Sequence, residues 1–585
     1  MALEQATPTT LQHISLARRG ATYFEMSGPG EFIAAAVLFA LMIVIRVVNI
    51  LHYRFDSDEP QHLHVIWGWA RGFVQYRDLF DNHMPLFHIT FAPIFGLIGD
   101  RATILYEMRF ILLPMYFIAA WCTYQIGTSL FSRRVGMWAV ILGGLYTRYH
   151  LISLEFRTDN LWAPLWLLCM TVLVTGPLTV RRALAAGLLL GLCFGVSMKS
   201  VLFLLSIAVA ALLTLLLVGR RNLALSWTHL VHCIAAFVVS TTAIPATIII
   251  FFAFKGLWRD FRYCVFDFNF LARGASLVNR IPLMLIIIIA LPVILYVARR
   301  MICATECAGL AFRRVFILMV CTSYFVASKA FWPVRSPDDD PPFYPLVAVL
   351  CSGALLTLST KLISFKWNAD QILRRVPVPA FLAVGEIAVL VSMGPIWKDR
   401  TRLETNLVRN TIALLGPRDY VLDLKGETIF RPRCLRSVFE AITRSAIDRG
   451  ILESNAPQMC VQRRTCVAAT LLINRFPRDT RQFVKRNYVA VTRSLRVAGA
   501  ELKPSATNPL RCEFNVTIPA MYEIISSTEN VSGTVDGIPY TGARFLAPGP
   551  HIFKSASTPR DLVLLWAQAV DRHFTPRGHQ TFRHG

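Results

Sequence analysis

Acidic and imidazole side chains crowd one short part of this chain. The order Arg54-Phe55-Asp56-Ser57-Asp58-Glu59-Pro60-Gln61-His62-Leu63-His64 is followed, after an apolar interval, by Asp78-Leu79-Phe80-Asp81-Asn82-His83-Met84-Pro85-Leu86. Five carboxylates and three histidines thus share one connecting segment. Carboxylates at that density can take a proton from a hydroxyl or hold a divalent cation, and imidazoles can assist in either. Two further polar segments carry complementary charge. One, residues 149–160, contains Glu155, Arg157 and Asp159; the other is Ser197-Met198-Lys199-Ser200, a lysine between two apolar runs.

Such a set suits transfer from a lipid-linked phosphate. The phosphate leaving group needs cationic stabilisation, and the acceptor hydroxyl needs a base. Carboxylates alone would repel that donor. Lys199, Arg157 or a divalent metal (Mg, Mn or Zn) held by Asp58, Glu59 and His83 would neutralise it. The plainer alternatives are Asp58 as a helix cap, the histidines as solvated loop residues and Lys199 snorkelling to the membrane surface.

What must position these groups is legible from hydropathy. With 55% hydrophobic residues, the 585-residue chain is more apolar than a soluble core requires. Runs of roughly 17 to 22 apolar residues, the length of a membrane-spanning helix, recur from Phe32 to Met393. About eleven spans are expected, near 32–51, 104–126, 136–152, 160–178, 184–198, 200–218, 229–253, 281–298, 314–330, 343–360 and 378–396. Arg18-Arg19 precedes the first, and no small-residue cleavage site follows before His52, so it reads as an uncleaved anchor.

The formal net charge of +24 raises the question of nucleic acid, and its placement answers it. Arg18-Arg19, Arg133-Arg134, Arg181-Arg182, Arg220-Arg221, Arg299-Arg300 with Arg313-Arg314, and Arg374-Arg375 fall on one side when the spans are threaded in turn. That side is cytoplasmic. The carboxylate-rich first loop and everything after Trp397 are then outside. The basic excess of the C-terminal region suits anionic lipid head groups rather than nucleic acid.

Three domains are expected: a cytoplasmic polar leader (1–30), a membrane domain (31–396) and a soluble extracytoplasmic domain (397–585). In the last, helical spacing over 433–454 and alternation over 515–552, with turn signals Asp536-Gly537 and Pro548-Gly549-Pro550, indicate an α+β unit. Its cysteines, Cys434, Cys460, Cys466 and Cys512, are enough for two disulfides with three possible pairings. Ser57 or Asp58 is expected to cap a helix with Pro60 in its first turn, and Leu63, Trp67, Ala70 and Val74 to form a stripe lying in the membrane interface.

The Asp58-Glu59 pair just outside the first span, followed by Asp81-Asn82-His83-Met84-Pro85-Leu86 and Arg157-Thr158-Asp159, resembles the GT-C glycosyltransferases. The branch it is most similar to is the dolichyl-phosphate-mannose protein mannosyltransferase and ArnT-like superfamily, over residues 32–360. The resemblance implies a polytopic α-helical GT-C-like membrane protein. It also implies catalytic or metal-associated roles for Asp58 with Glu59, and a second acidic position at Asp159. Lys199, with Arg157 and His83, would contact donor phosphate. Asp81, His62 and the aromatic Trp332 and Tyr344, within Phe331-Trp332-Pro333 and Pro341-Pro342-Phe343-Tyr344-Pro345, would contact substrate. Met84, where relatives have proline, departs from the pattern. The implied activity is transfer of a sugar from a polyprenyl-phosphate donor to a lipid, glycan or protein acceptor on the outer face, and the implied setting is a bacterial inner membrane. Many spans with buried charge suit a secondary transporter as well, which predicts interrupted helices in matching positions of two halves.

Overall fold

The computed structural model describes residues 29–219, 226–271, 281–305, 307–332, 340–364, 377–505, 507–526, 530–557 and 561–576. The leader to residue 28, the pairs Arg18-Arg19, Arg220-Arg221 and Arg374-Arg375, and Pro333 lie outside them.

Hydrocarbon offers the backbone no hydrogen-bond partner, so long apolar runs close their own bonds as helices. The helices are α1 (Pro29–His52), α2 (Asp58–Ala70), α3 (Leu86–Ile98), α4 (Ile104–Leu130), α5 (Arg133–Leu145), α6 (Thr147–Ile152), α7 (Asp159–Val174), α8 (Val180–Val196) and α9 (Ser200–Val218). They continue with α10 (Trp227–Phe254), α11 (Ile281–Cys303), α12 (Ala308–Val326), α13 (Tyr344–Ser364) and α14 (Val378–Met393). Among the described residues six helices are long and apolar enough to cross a membrane, and α3, α7, α14 and part of α13 are shorter apolar helices. The chain is a multi-pass membrane protein. Ten of the expected spans each fall on one helix, 136–152 is divided between α5 and α6, and α3 is an apolar helix inside the first loop that the hydropathy criterion does not reach.

Two local expectations need correction. The start of α2 is capped from Asp56, not from Ser57 or Asp58. Asp56 accepts from the Asp58 N–H at 3.0 Å, and Glu59 reaches back to the Asp56 N–H at 2.8 Å, a reciprocal capping box. The stripe is also divided: Leu63 and Trp67 are buried in one core with Phe87 and Phe91 of α3, Ala70 is exposed, and Val74 lies beyond the end of α2. Glu386, a carboxylate within apolar α14, has a partner at the break between α5 and α6, where the Thr147 N–H and hydroxyl donate to it over 3.4 and 3.5 Å.

Beyond α14, helix α15 (Arg402–Leu414) leads into an α+β domain. Among the described residues it holds a seven-stranded sheet, mostly antiparallel, and a four-stranded one. Helix α16 (Ala441–Asp448) is shorter than the spacing over 433–454 predicted. Asp536 and Gly537 both take positive φ, as a tight hairpin turn requires. The four cysteines form no disulfide: Cys434 and Cys460 are in contact at 3.7 Å between sulfurs, and Cys466 and Cys512 are separately buried.

This domain is tied to the first loop by residues 423–433. Phe430 packs on Phe95 of α3 at 5.6 Å, and the Ile429 carbonyl shares a 2.8 Å hydrogen bond with Nδ1 of His64 on α2. Inside the loop the Asp423 carboxylate accepts from Arg433 at 2.6 Å and from the Gly426 N–H at 3.0 Å. Gly426 has φ +106°, and a Cβ there would stand 2.8 Å from His64. Gly426→Ala is therefore expected to cost about 1–3 kcal/mol in backbone strain alone, with further loss from the clash. A thermal melt in detergent matching the wild type would contradict this.

Candidate active site

Successive connections on one side of the bundle converge on a cavity of about 510 Å³ between membrane domain and C-terminal domain. The start of α2 contributes Asp56 and Asp58, and the segment before α3 contributes Asn82 and His83. Arg157 stands just before α7, Lys199 just before α9 and Trp332 beyond α12. From the far side come Lys425, Glu440 and Arg475 of the C-terminal domain.

Arg157 is the hub. Its guanidinium lies 3.1 Å from Asp58, 3.3 Å from Glu155, 3.5 Å from Asp159 and 3.9 Å from Asp56. Asp58 is also ion-paired with the buried ammonium of Lys425. Burial opposes a charge on Asp58, yet Arg157 and Lys425 together outweigh it and hold the carboxyl well below the usual carboxylate range. Lys425 is raised in turn: burial works against the ammonium, and Asp58 followed by Glu440 overrides it. Two carboxyls go the other way. Glu440 is raised by burial, only partly offset by Lys425, and burial pushes Glu155 up to about 8 against the pull of Arg157.

The residues singled out from sequence separate into two groups. Asp58, His83, Arg157, Lys199 and Trp332 line the cavity. Asp159 sits behind them, 3.5 Å from Arg157 and 3.8 Å from Lys199, as counter-charge to both. Glu59, one residue from Asp58, is turned about 100° around α2 and buried away from the cavity. It takes two hydrogen bonds from Arg109 at 2.5 and 2.7 Å and one from the Phe156 N–H at 2.9 Å. Asp81 and His62 are buried beneath the cavity wall, with Asp81 accepting from His83 at 2.9 Å. Tyr344 packs against Tyr146 and Tyr149, at 5.1 and 6.1 Å, outside the cavity lining.

A divalent cation on Asp58, Glu59 and His83 does not fit this arrangement. Both Glu59 oxygens are taken by Arg109, and Asp58 already faces two cations, so the three side chains present no common point. The cations that line the cavity are Arg157, Lys199, Lys425, Arg444 and Arg475, among the described residues. Sequence reasoning missed Lys425 and Glu440, which carry no motif. Arg109 did leave a signal: a guanidinium inside an apolar span needs a buried acid.

Because Glu59 and Arg109 have side chains with no exposure, removing one charge strands the other. Glu59→Gln is expected to cost about 3–5 kcal/mol of stability and Asp58→Asn clearly less, since Lys425 and Arg157 retain other carboxylates nearby. Melting curves of the two variants in the same detergent check the order.

Residues 82–244 match the sequence profile of a family described as dolichyl-phosphate-mannose-protein mannosyltransferase. No curated protein matches this chain closely enough to count as a relative. Among solved structures, the fold is similar to that of ArnT from Cupriavidus metallidurans in the apo state. That match has a TM-score of 0.55 at 13% identity, covering 79% of this chain and 97% of that one. The same protein bound to undecaprenyl phosphate gives 0.54 at 12% identity, covering 80% and 98%. The chain thus shares the fold of ArnT, and its residues 82–244 carry the sequence profile of the dolichyl-phosphate-mannose-protein mannosyltransferase family.

Proposed function

We propose that this protein transfers a sugar from a polyprenyl-phosphate donor to an acceptor hydroxyl on the outer face of the membrane. The cavity that joins Asp58 to Arg157, Lys199 and Lys425 carries this reading. An ArnT of the same fold has been solved with undecaprenyl phosphate, which supports the donor class. A bacterial inner membrane with the C-terminal domain in the periplasm is the setting that best suits a donor of this kind.

In a single displacement the acceptor oxygen attacks the anomeric carbon while the bond from that carbon to the phosphate oxygen breaks. The phosphate leaves with the electron pair, inverting the centre. Charge growing on the leaving oxygen is met by Lys199 and Arg157, fixed in place before the donor arrives. Asp58 receives the acceptor's proton. While both cations hold it, Asp58 is a weak base. An incoming phosphate draws Lys425 away from Asp58 and shares the charge of the fixed Arg157, and the basicity of Asp58 rises. Donor binding and base activation are thereby coupled. Asp159 keeps Arg157 and Lys199 in position, and Trp332 offers an aromatic face to the sugar.

Asp58→Ala should abolish transfer from a polyprenyl-phosphate sugar while the protein stays folded and inserted. Near-normal turnover would reject the assignment, and solute flux in proteoliposomes without any glycan product would point to a transporter instead. Glycolipids and glycoproteins from cells with and without the gene, compared by mass spectrometry, identify sugar and acceptor.

A pH dependence follows from Glu440. Its carboxyl is raised by burial, with Asp58 and Asp81 adding to the shift and Lys425 and His83 opposing it. Below that raised value it is neutral; above it, a new negative charge faces the incoming phosphate. The KM for donor should therefore climb with pH through this titration. Glu440→Gln should flatten the rise, and a variant with an unchanged profile would sink the explanation.

A further inference from the structure

Beneath the cavity wall lies a second polar cluster that sugar transfer does not use. His62 on α2, His88 on α3 and Asp81 between the two helices are each buried to 1% exposure or less. Nδ1 of His62 and Nε2 of His88 are 3.1 Å apart, Nε2 of His88 is 3.7 Å from Oδ2 of Asp81, and the three atoms all lie within 4.8 Å of one another. Around a tetrahedral ion with bonds of about 2.0 Å, ligand atoms stand about 3.3 Å apart. The three donors are thus close to coordinating distance from one common point.

Hydrogen bonding alone leaves the cluster incomplete. Oδ2 of Asp81 has no hydrogen-bond partner, although it is fully buried and directed toward His88. A buried carboxylate oxygen without a donor is a costly arrangement. The other oxygen is engaged, accepting from the His83 backbone N–H at 2.6 Å and from its ring at 2.9 Å. The partners of Asp81 are therefore divided: Oδ1 serves the cavity wall and Oδ2 faces two imidazoles.

We propose that His62, Asp81 and His88 bind one Zn²⁺ ion, which clamps α2 to α3 and, through Asp81, fixes His83 in the wall of the cavity. Two imidazoles and one carboxylate form a mixed nitrogen and oxygen set that suits zinc, whereas magnesium and calcium favour oxygen ligands throughout. Three protein ligands leave a fourth position for solvent. A carboxylate that binds the metal with one oxygen and orients a neighbouring side chain with the other is a common supporting arrangement. The site is separate from Asp58 and does not depend on the sugar-transfer reading.

The test uses the full chain in detergent micelles, stripped with a chelator and titrated with ZnCl₂, with bound metal counted by mass spectrometry. One zinc per chain is expected. His88→Gln and Asp81→Asn should each weaken binding by about tenfold or more, while Asp58→Asn should bind as the wild type does. Cobalt in place of zinc should give the visible absorption of a four-coordinate site in the wild type and lose it in His88→Gln. Should those variants fail to fold, a rise in the melting temperature of stripped wild type on adding ZnCl₂ remains a required result. Binding well below one equivalent, equal binding by His88→Gln, or loss of the ion in Asp58→Asn would each overturn the proposal.

Discussion

Asp58 is held by cations from two distant parts of the chain, Arg157 between α6 and α7 and Lys425 in the C-terminal domain. Ionised groups beside a membrane core are tolerated only when their charge is answered locally. Here the answer comes from outside the first loop, so the site is complete only when that loop, the bundle and the C-terminal domain are assembled together. The buried 423–433 loop, with Phe430 against Phe95 and Ile429 bonded to His64, supplies the apolar contact and the hydrogen bond that carry Lys425 to its place.

The same rule recurs through the structure. Glu59 with Arg109 bolts the start of α2 to α4, and Glu31 with Arg134 and the Trp138 N–H joins α1 to α5, at 2.8 and 2.7 Å. Asp423 with Arg433 stiffens the docking loop. Arg46, deep in α1, donates to the Ser153 hydroxyl at 2.9 Å and lies 3.6 Å over the Tyr116 ring. These pairs hold the frame. Around the cavity, by contrast, charges are shared among several partners. Arg157 alone faces four carboxylates, an arrangement an incoming anion can redistribute.

Much of this was legible before any coordinates. Membrane helices are set by hydropathy and length, so the spans and the loops between them could be read directly, and the loops in turn located Asp58, His83, Arg157 and Lys199. What failed was direction. Asp58 and Glu59 are adjacent and chemically alike, but one helical step sends them to opposite surroundings, and only the position of Arg109 decides which is which. Helix α3 escaped because a short apolar helix inside a polar loop looks like loop sequence to a span-length criterion. Lys425 escaped for a different reason: it meets Asp58 across 367 residues of sequence, and no local pattern marks such a contact. Tyr344 has the residue type a sugar would stack on, but it packs against Tyr146 and Tyr149 instead.

The most direct measurement is a cryo-EM structure of the chain in a nanodisc with undecaprenyl phosphate. The account predicts phosphate in the cavity within hydrogen-bond distance of Lys199 and Arg157, with Lys425 drawn away from Asp58. Phosphate bound elsewhere, with the pairing of Asp58 and Lys425 undisturbed, would contradict it.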